Sequence, residues 1–277
     1  MPITVVQGSP QDIWVPITDV TVIYVGSIVG VDKTAPGEGV IGLPDAVGAA
    51  NVTNNDVPYG VVIGTNLKTP VWNSTYKCYS IPSTTAADPH DGAAREYVGV
   101  EGPYPKGDQI AMAKISLITP STVLKAPFFV AEVGVPLTER TVTAGDAAGT
   151  GCVVSASDFT PIAYPMQTVY FRTGANAGTY RMVDQASATA LEWDTATVND
   201  TASGDVLVMA PVRTHGFSTV MFDDVSATFI DIDAPVYNAT HRYVINVVRL
   251  DLRETGKEYV EFMFDASHFG HAVVSDT

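Results

Sequence analysis

Apolar and polar residues alternate in short runs along this chain. No window of a dozen residues carries apolar positions at the three-and-four spacing of a helix face without a Gly, Pro or β-branched interruption. The run GKEYVEFMF, 256–264, shows the rule. Val260, Phe262 and Phe264 fall on one side, and Tyr259, Glu261 and Met263 on the other, as in a half-buried antiparallel strand. The same pattern predicts strands at 59–63, 110–115 and 128–133, then at 167–172, 179–184, 190–193, 205–212, 218–222, 228–233, 242–252 and 258–264. Residues 20–31 read as one further strand bent at Gly26 and Gly30, because glycine inside a strand marks a bulge or corner. The fold class expected is all-β, with antiparallel sheets, little helix, and two β-rich domains of barrel or sandwich type. Pattern lapses over the small residues of 141–155, TVTAGDAAGTGCVVS, which places a domain junction there: an N-terminal domain over 1–140 and a C-terminal one over 141–277.

The stretch VYFRTGANAGTYRMV, 169–183, sets two glycines in the compass of a phosphate-gripping loop. Such a loop needs a helix after it, with free N–H groups aimed at the anion, and usually a Lys followed by Ser or Thr. Here Gly178 is followed by a β-branched and aromatic run, and no Lys follows it. The expectation is a hairpin in which the glycines supply positive φ.

Charge narrows the functional classes. The formal net charge is -15, yet charged residues are 16% of the chain, below the usual quarter. Up to Arg140 there are 8 basic and 13 acidic residues, and beyond it 7 and 17, so the second half is the more acidic. Nucleic-acid binding neutralises phosphates with clustered Lys and Arg, and no such cluster occurs; no nucleic-acid partner is expected. No run approaches the ~18 apolar residues of a membrane span, and the start lacks a signal-peptide pattern, so no membrane partner and no standard export are expected. A surface sparing in charge is common in secreted and β-rich proteins and in subunits packed against neighbours, and it favours an assembly.

Candidate chemistry is thin. Asp231 and Asp233 would share one face of a strand, with Asp223 and Asp224 nearby, but no calcium-loop pattern surrounds them, and a solvated acidic face is expected. Asp265, His268 and His271 lack the spacing of a helical zinc motif. Ser83, His90 and Asp91 lie in a loop without the Gly-x-Ser-x-Gly elbow that would position a triad. Cys78 and Cys152 form no metal motif; two buried free thiols or one disulfide closing a long loop both fit the spacing. Trp14, Trp72 and Trp193 are expected in cores, the alternative being exposed sugar-stacking platforms. No catalytic, cofactor-binding or metal-binding residue is assigned.

The runs VTVIYVGSIVGV (20–31), VPYGVVIG (57–64) and YPKGDQIAMAKI (104–115), with VYFRTGANAGTYR (169–181) and GKEYVEFMF (256–264), resemble the head decoration proteins of tailed bacteriophages. The resemblance implies a non-enzymatic subunit on the outer surface of a capsid, made in the host cytoplasm. It implies the major capsid protein as partner and self-association, with a trimer favoured. On that reading residues 1–140 contact the shell and the acidic residues 141–277 face solvent, and the first dozen residues form an arm toward a neighbour. A tail or neck subunit, and a carbohydrate-binding β-sandwich module or glycosidase, are the alternatives.

Overall fold

A computed structural model describes residues 2–8, 11–16, 23–31, 40–42, 58–65, 71–81, 112–129, 137, 139–155, 167–187, 189–193, 195–220, 222, 228–232 and 243–266. In chain order its first strands are β1 (Thr4–Gln7), β2 (Asp12–Pro16), β3 (Ile23–Tyr24), β4 (Ile28–Val31), β5 (Val40–Gly42), β6 (Pro58–Thr65), β7 (Val71–Asn73), β8 (Cys78–Ile81), β9 (Met112–Leu117) and β10 (Val123–Phe129). There follow β11 (Glu139–Ala144), β12 (Gly151–Val154), β13 (Gln167–Phe171), β14 (Tyr180–Val183), β15 (Gln185–Ala186), β16 (Ala190–Glu192), β17 (Val206–Ala210), β18 (Gly216–Val220), β19 (Ile230–Asp231), β20 (Tyr243–Asp251) and β21 (Tyr259–Phe264). The class is all-β, as the alternation predicts, and no α-helix occurs among the described residues.

Four sheets result. A five-stranded sheet in the order β2-β9-β6-β4-β5 and a three-stranded sheet β3-β8-β7 use residues before 118. A seven-stranded sheet, β14-β13-β17-β11-β12-β16-β15, uses residues 139–210. The six-stranded sheet runs β1-β10-β21-β20-β18, with β19 added parallel to β10, and so takes strands from both sides of residue 140.

Burial explains the layering. On β21 the alternation is as expected: Val260, Phe262 and Phe264 are buried, and the residues between them half-buried. Those three side chains meet Leu124, Ala126, Phe128, Ile245 and Val247 in the largest core. Strand β13 behaves differently, being buried at all five positions. The reason is that both of its faces are covered: Tyr170 joins the large core, while Val169 and Phe171 join a second one with Leu207, Met209, Leu191 and Trp193. Each fully buried apolar side chain of this size contributes about 1.5–3 kcal/mol, which makes β13 and β17 the shared wall between two cores. A third cluster, Val15, Ile23, Val29, Val62, Ala113 and Ile115, lies in the N-terminal sheets.

Local expectations are met at two glycine sites. Chain direction breaks at Gly26, whose φ is +91°, so β3 and β4 enter different sheets. Gly174 and Gly178 also take positive φ, and they close the β13–β14 hairpin with Val169 opposite Arg181. Its loop is built as well as bent: the buried Asn176 side chain donates to the carbonyls of Asn199 and Asp200 at 3.0 and 3.2 Å and accepts from the Asn199 N–H at 3.1 Å.

Three expectations need correction. The small residues of 141–155, read as a junction, form the β11–β12 hairpin inside the seven-stranded sheet. They are small because chain passes close by: a side chain at Gly145 would overlap the Thr201 carbonyl, and one at Gly151 the Leu191 carbonyl. The strand expected at 128–133 starts earlier, at Val123, because Leu124 and Ala126 already point into the core. Finally, residues 2–7, in the segment expected to be an arm, are packed into the chain's own sheet. Thr4 and Val5 pair with Lys125 and Leu124, Ile3 is 1% exposed, and the Pro2 ring fills the space a side chain at Gly26 would need.

Candidate functional site

An open cleft of about 430 Å³ lies on the seven-stranded sheet. Its floor is β12 and β16, with Cys152 and Trp193 beneath and Asp146, Asp184 and Glu192 around it. Asp146 is already used. One carboxylate oxygen accepts from the Ala148 N–H at 3.0 Å, and the other from the N–H and the hydroxyl of Thr150, both at 2.9 Å. Those bonds, the backbone one from Ala148 foremost, hold its carboxyl below the usual aspartate range. The indole N–H of Trp193 donates to the Gly149 carbonyl at 2.8 Å, so the ring is a strut of the cleft wall.

Cys152 is the one thiol lining the cleft. Burial, followed by the negative charge of Asp205, pushes its thiol up to about 12. The thiolate is the reactive form, so this group is suited to packing. Cys78 is likewise buried and free, in β8 of another sheet, which settles the pairing question in favour of two thiols. Both cysteines are expected to stay silent to a thiol-reactive dye in the native protein and to react together on unfolding. Rapid labelling of either in the folded state would contradict this burial.

Charge is concentrated elsewhere, where the β20–β21 hairpin meets the seven-stranded sheet. Arg172, at the end of β13, donates to Glu139 at 2.8 Å, and also to Glu258 and Thr255. Its side chain is 8% exposed and that of Glu258 only 1%. Thr255 donates to the same Glu139 oxygen at 2.7 Å, and the Leu252 N–H donates to the Tyr180 hydroxyl at 3.2 Å. These bonds tie the two sheets together beside their shared core.

On the hairpin itself Asp251 accepts from Arg253, through Nε at 2.9 Å and through Nη2, and from Arg249 at 3.3 Å. The Arg253 hydrogen bond is the main cause of a carboxyl held down to about 2. A depressed folded-state value means that the carboxylate's contribution is full above about pH 4 and is lost as pH falls through about 2. Melting temperature measured from pH 5 to 2 should therefore fall more steeply in the parent than in Asp251→Asn; parallel profiles would contradict the assignment.

Of the acidic and histidine residues singled out in sequence, only Asp231 and Asp265 are among the described residues. Asp231 ends β19 at partial exposure, and Asp265 donates its N–H to the Val244 carbonyl at 2.9 Å. Asp223, Asp224, Asp233, Ser83, His90, Asp91, His268 and His271 lie outside the described residues. Among the described residues no group of three or more His, Cys, Asp or Glu side chains could hold a metal ion.

The tryptophans divide. Trp193 is core, Trp14 is half-buried, and Trp72 is 52% exposed, against expectation. Trp72 lies on the β7–β8 hairpin directly opposite Tyr79, 47% exposed, with the rings edge-to-face at 5.1 Å. Tyr76 anchors this hairpin by stacking on Phe229, which leaves the Trp72–Tyr79 pair outward. No family model matches the chain, and no curated protein or solved structure matches it.

Proposed function

We propose that this chain is a non-enzymatic structural subunit of a virus particle, a capsid decoration or cement protein of a tailed bacteriophage. The observation that carries the reading is the use of its charge. Active sites hold ionisable groups in a cleft with affinities tuned for proton transfer. Here the Arg172–Glu258 pair braces one sheet against another, the Asp251 clamp fixes the β20–β21 hairpin, and the cleft offers a hydrogen-bonded carboxylate and a thiol that stays protonated. An all-β scaffold cross-braced in this way suits a protein whose task is to be rigid. The phage setting, the major capsid protein as partner and self-association rest on the resemblance of the sequence runs. In that setting the five- and three-stranded sheets face the shell, and the seven-stranded sheet, with the acidic cleft, faces solvent.

The test is co-sedimentation of the purified chain with empty phage shells stripped of their outer proteins. Saturable binding is expected. Failure to bind, together with hydrolase activity in the purified protein, would overturn the reading. The exposed Trp72–Tyr79 pair favours one rival, a carbohydrate-binding module. Quenching or shift of Trp72 fluorescence by a neutral oligosaccharide, abolished in Trp72→Ala, would move the assignment there.

A further inference from the structure

We propose that Trp72 and Tyr79, on the β7–β8 hairpin, are the anchor by which this chain seats in an apolar pocket with an acidic rim on the shell protein. The proposal rests on the capsid reading above and deepens it by naming the contact.

The hairpin holds the two rings still before any partner arrives. Trp72 and Tyr79 lie directly opposite each other and share its outward face, while the alternate residue Cys78 is buried on the inward one. The turn is closed by Asn73, whose side-chain oxygen accepts from the N–H groups of Thr75 and Tyr76 at 2.9 and 3.1 Å. Tyr76 packs edge-on against Tyr24 at 5.2 Å and stacks on the buried Phe229 at 6.0 Å. The Tyr79 carbonyl accepts from the Val25 N–H at 2.8 Å, and the next N–H, that of Gly26, donates to the Val62 carbonyl at 2.7 Å. The hairpin is thereby tied to the five-stranded sheet. Side chains ordered in advance lose little freedom on docking, and Trp and Tyr are the residue types that carry most interface energy.

Charge selects the partner. Of the 277 residues 30 are acidic, yet the stretch 57–87 contains no Asp or Glu and carries Lys68 and Lys77. Lys77 is exposed, two residues before Tyr79. The chain as a whole stands at -15, so an acidic surface repels it from most sides and admits it by this one. A second copy meeting the hairpin through the same patch would set Lys77 against Lys77. Ring geometry speaks against a sugar. The two rings stand at 73° with centroids 5.1 Å apart, which makes a ridge and not the flat floor on which a pyranose lies. The stretch 57–87 also offers no carboxylate to take paired sugar hydroxyls. A ridge fits a pocket, with the aromatic pair at the desolvated centre and Lys77 at the polar rim.

The experiment titrates the full chain onto empty phage shells stripped of their outer proteins, at low and physiological salt. The proteins are the parent, Trp72→Ala, Tyr79→Ala, Lys77→Gln and Phe217→Ala. All four changes are at exposed positions, so melting temperatures should match the parent's. Trp72→Ala should weaken binding about 30-fold or more, and Tyr79→Ala about tenfold or more, the scale of truncating an interface anchor. Phe217→Ala, at a 57% exposed ring on another sheet, should bind as the parent does. Parent binding should weaken as salt rises, and Lys77→Gln should flatten that dependence. A parent that binds while Trp72→Ala binds equally well overturns the anchor and leaves the capsid role standing. Binding indifferent to salt overturns the acidic rim, and a parent that does not bind overturns both the anchor and the capsid role. Release of the bound parent by a neutral oligosaccharide assigns the pair to a sugar. Self-association in sedimentation velocity that Trp72→Ala abolishes assigns it to a second copy. Either result overturns the shell contact.

Discussion

Replacing Arg172 with methionine will destabilise the protein by about 3–5 kcal/mol, the cost of leaving a buried charge without its partner. Glu258 is that charge. Its carboxylate is 1% exposed, and Arg172, itself 8% exposed, is its ion-pair partner. Glu139, the other carboxylate on Arg172, is 42% exposed and will simply return to water. The asymmetry supplies the control. In the double variant Arg172→Met with Glu258→Leu both charges are gone, so more than half of the lost stability should return, because an apolar pair of similar volume often replaces a buried ion pair without cost. Urea unfolding of the three proteins measures this. A loss below about 1 kcal/mol for Arg172→Met would mean that the pair is screened as surface pairs are, and does not brace the sheets.

The second large effect concerns the chain's first residues. Deleting residues 2–8 will disrupt the six-stranded sheet. The segment carries β1, the outer partner of β10, and Ile3, which is 1% exposed among Ile28, Val61 and Leu124. Ile3→Ala alone should cost about 2–5 kcal/mol, the usual range for a large-to-small change in a core. The deletion also strips Pro2 from Gly26 at the break between β3 and β4, so the N-terminal sheets will feel it. Thermal unfolding followed by near-ultraviolet circular dichroism is the measurement. A truncated protein with unchanged melting temperature would restore the reading of this segment as a docking arm.

What the sequence revealed follows from which interactions are local. Alternation on β21 and the glycines at 174 and 178 are legible because a strand's faces and a turn's φ are decided within a few residues. The β11–β12 hairpin was hidden for the opposite reason. Its small residues answer to Thr201 and Leu191, some 40 to 56 positions away, and without those neighbours they resemble a linker. Arg172 and Glu258 are 86 residues apart, and nothing near either announces the other. The Asp251–Arg253 clamp was within reach, since the two residues are close in sequence and a carboxylate accepts the Nε and Nη2 edge of a guanidinium bidentately. Trp72 shows the limit of composition. It lies on the β7–β8 hairpin, outside the strands expected from alternation, and whether a strand is covered depends on what packs over it. The cleft was the least legible part, because its floor joins β12 to β16, strands well apart in sequence whose pairing no local motif announces.

The most direct test of a structural role is a density map of intact particles from cells that make this chain. A capsid subunit predicts ordered density of this all-β fold on the outside of the shell, with the five- and three-stranded sheets inward and the acidic cleft outward. Particles complete without the chain, or a map that places the cleft against the shell, would contradict it.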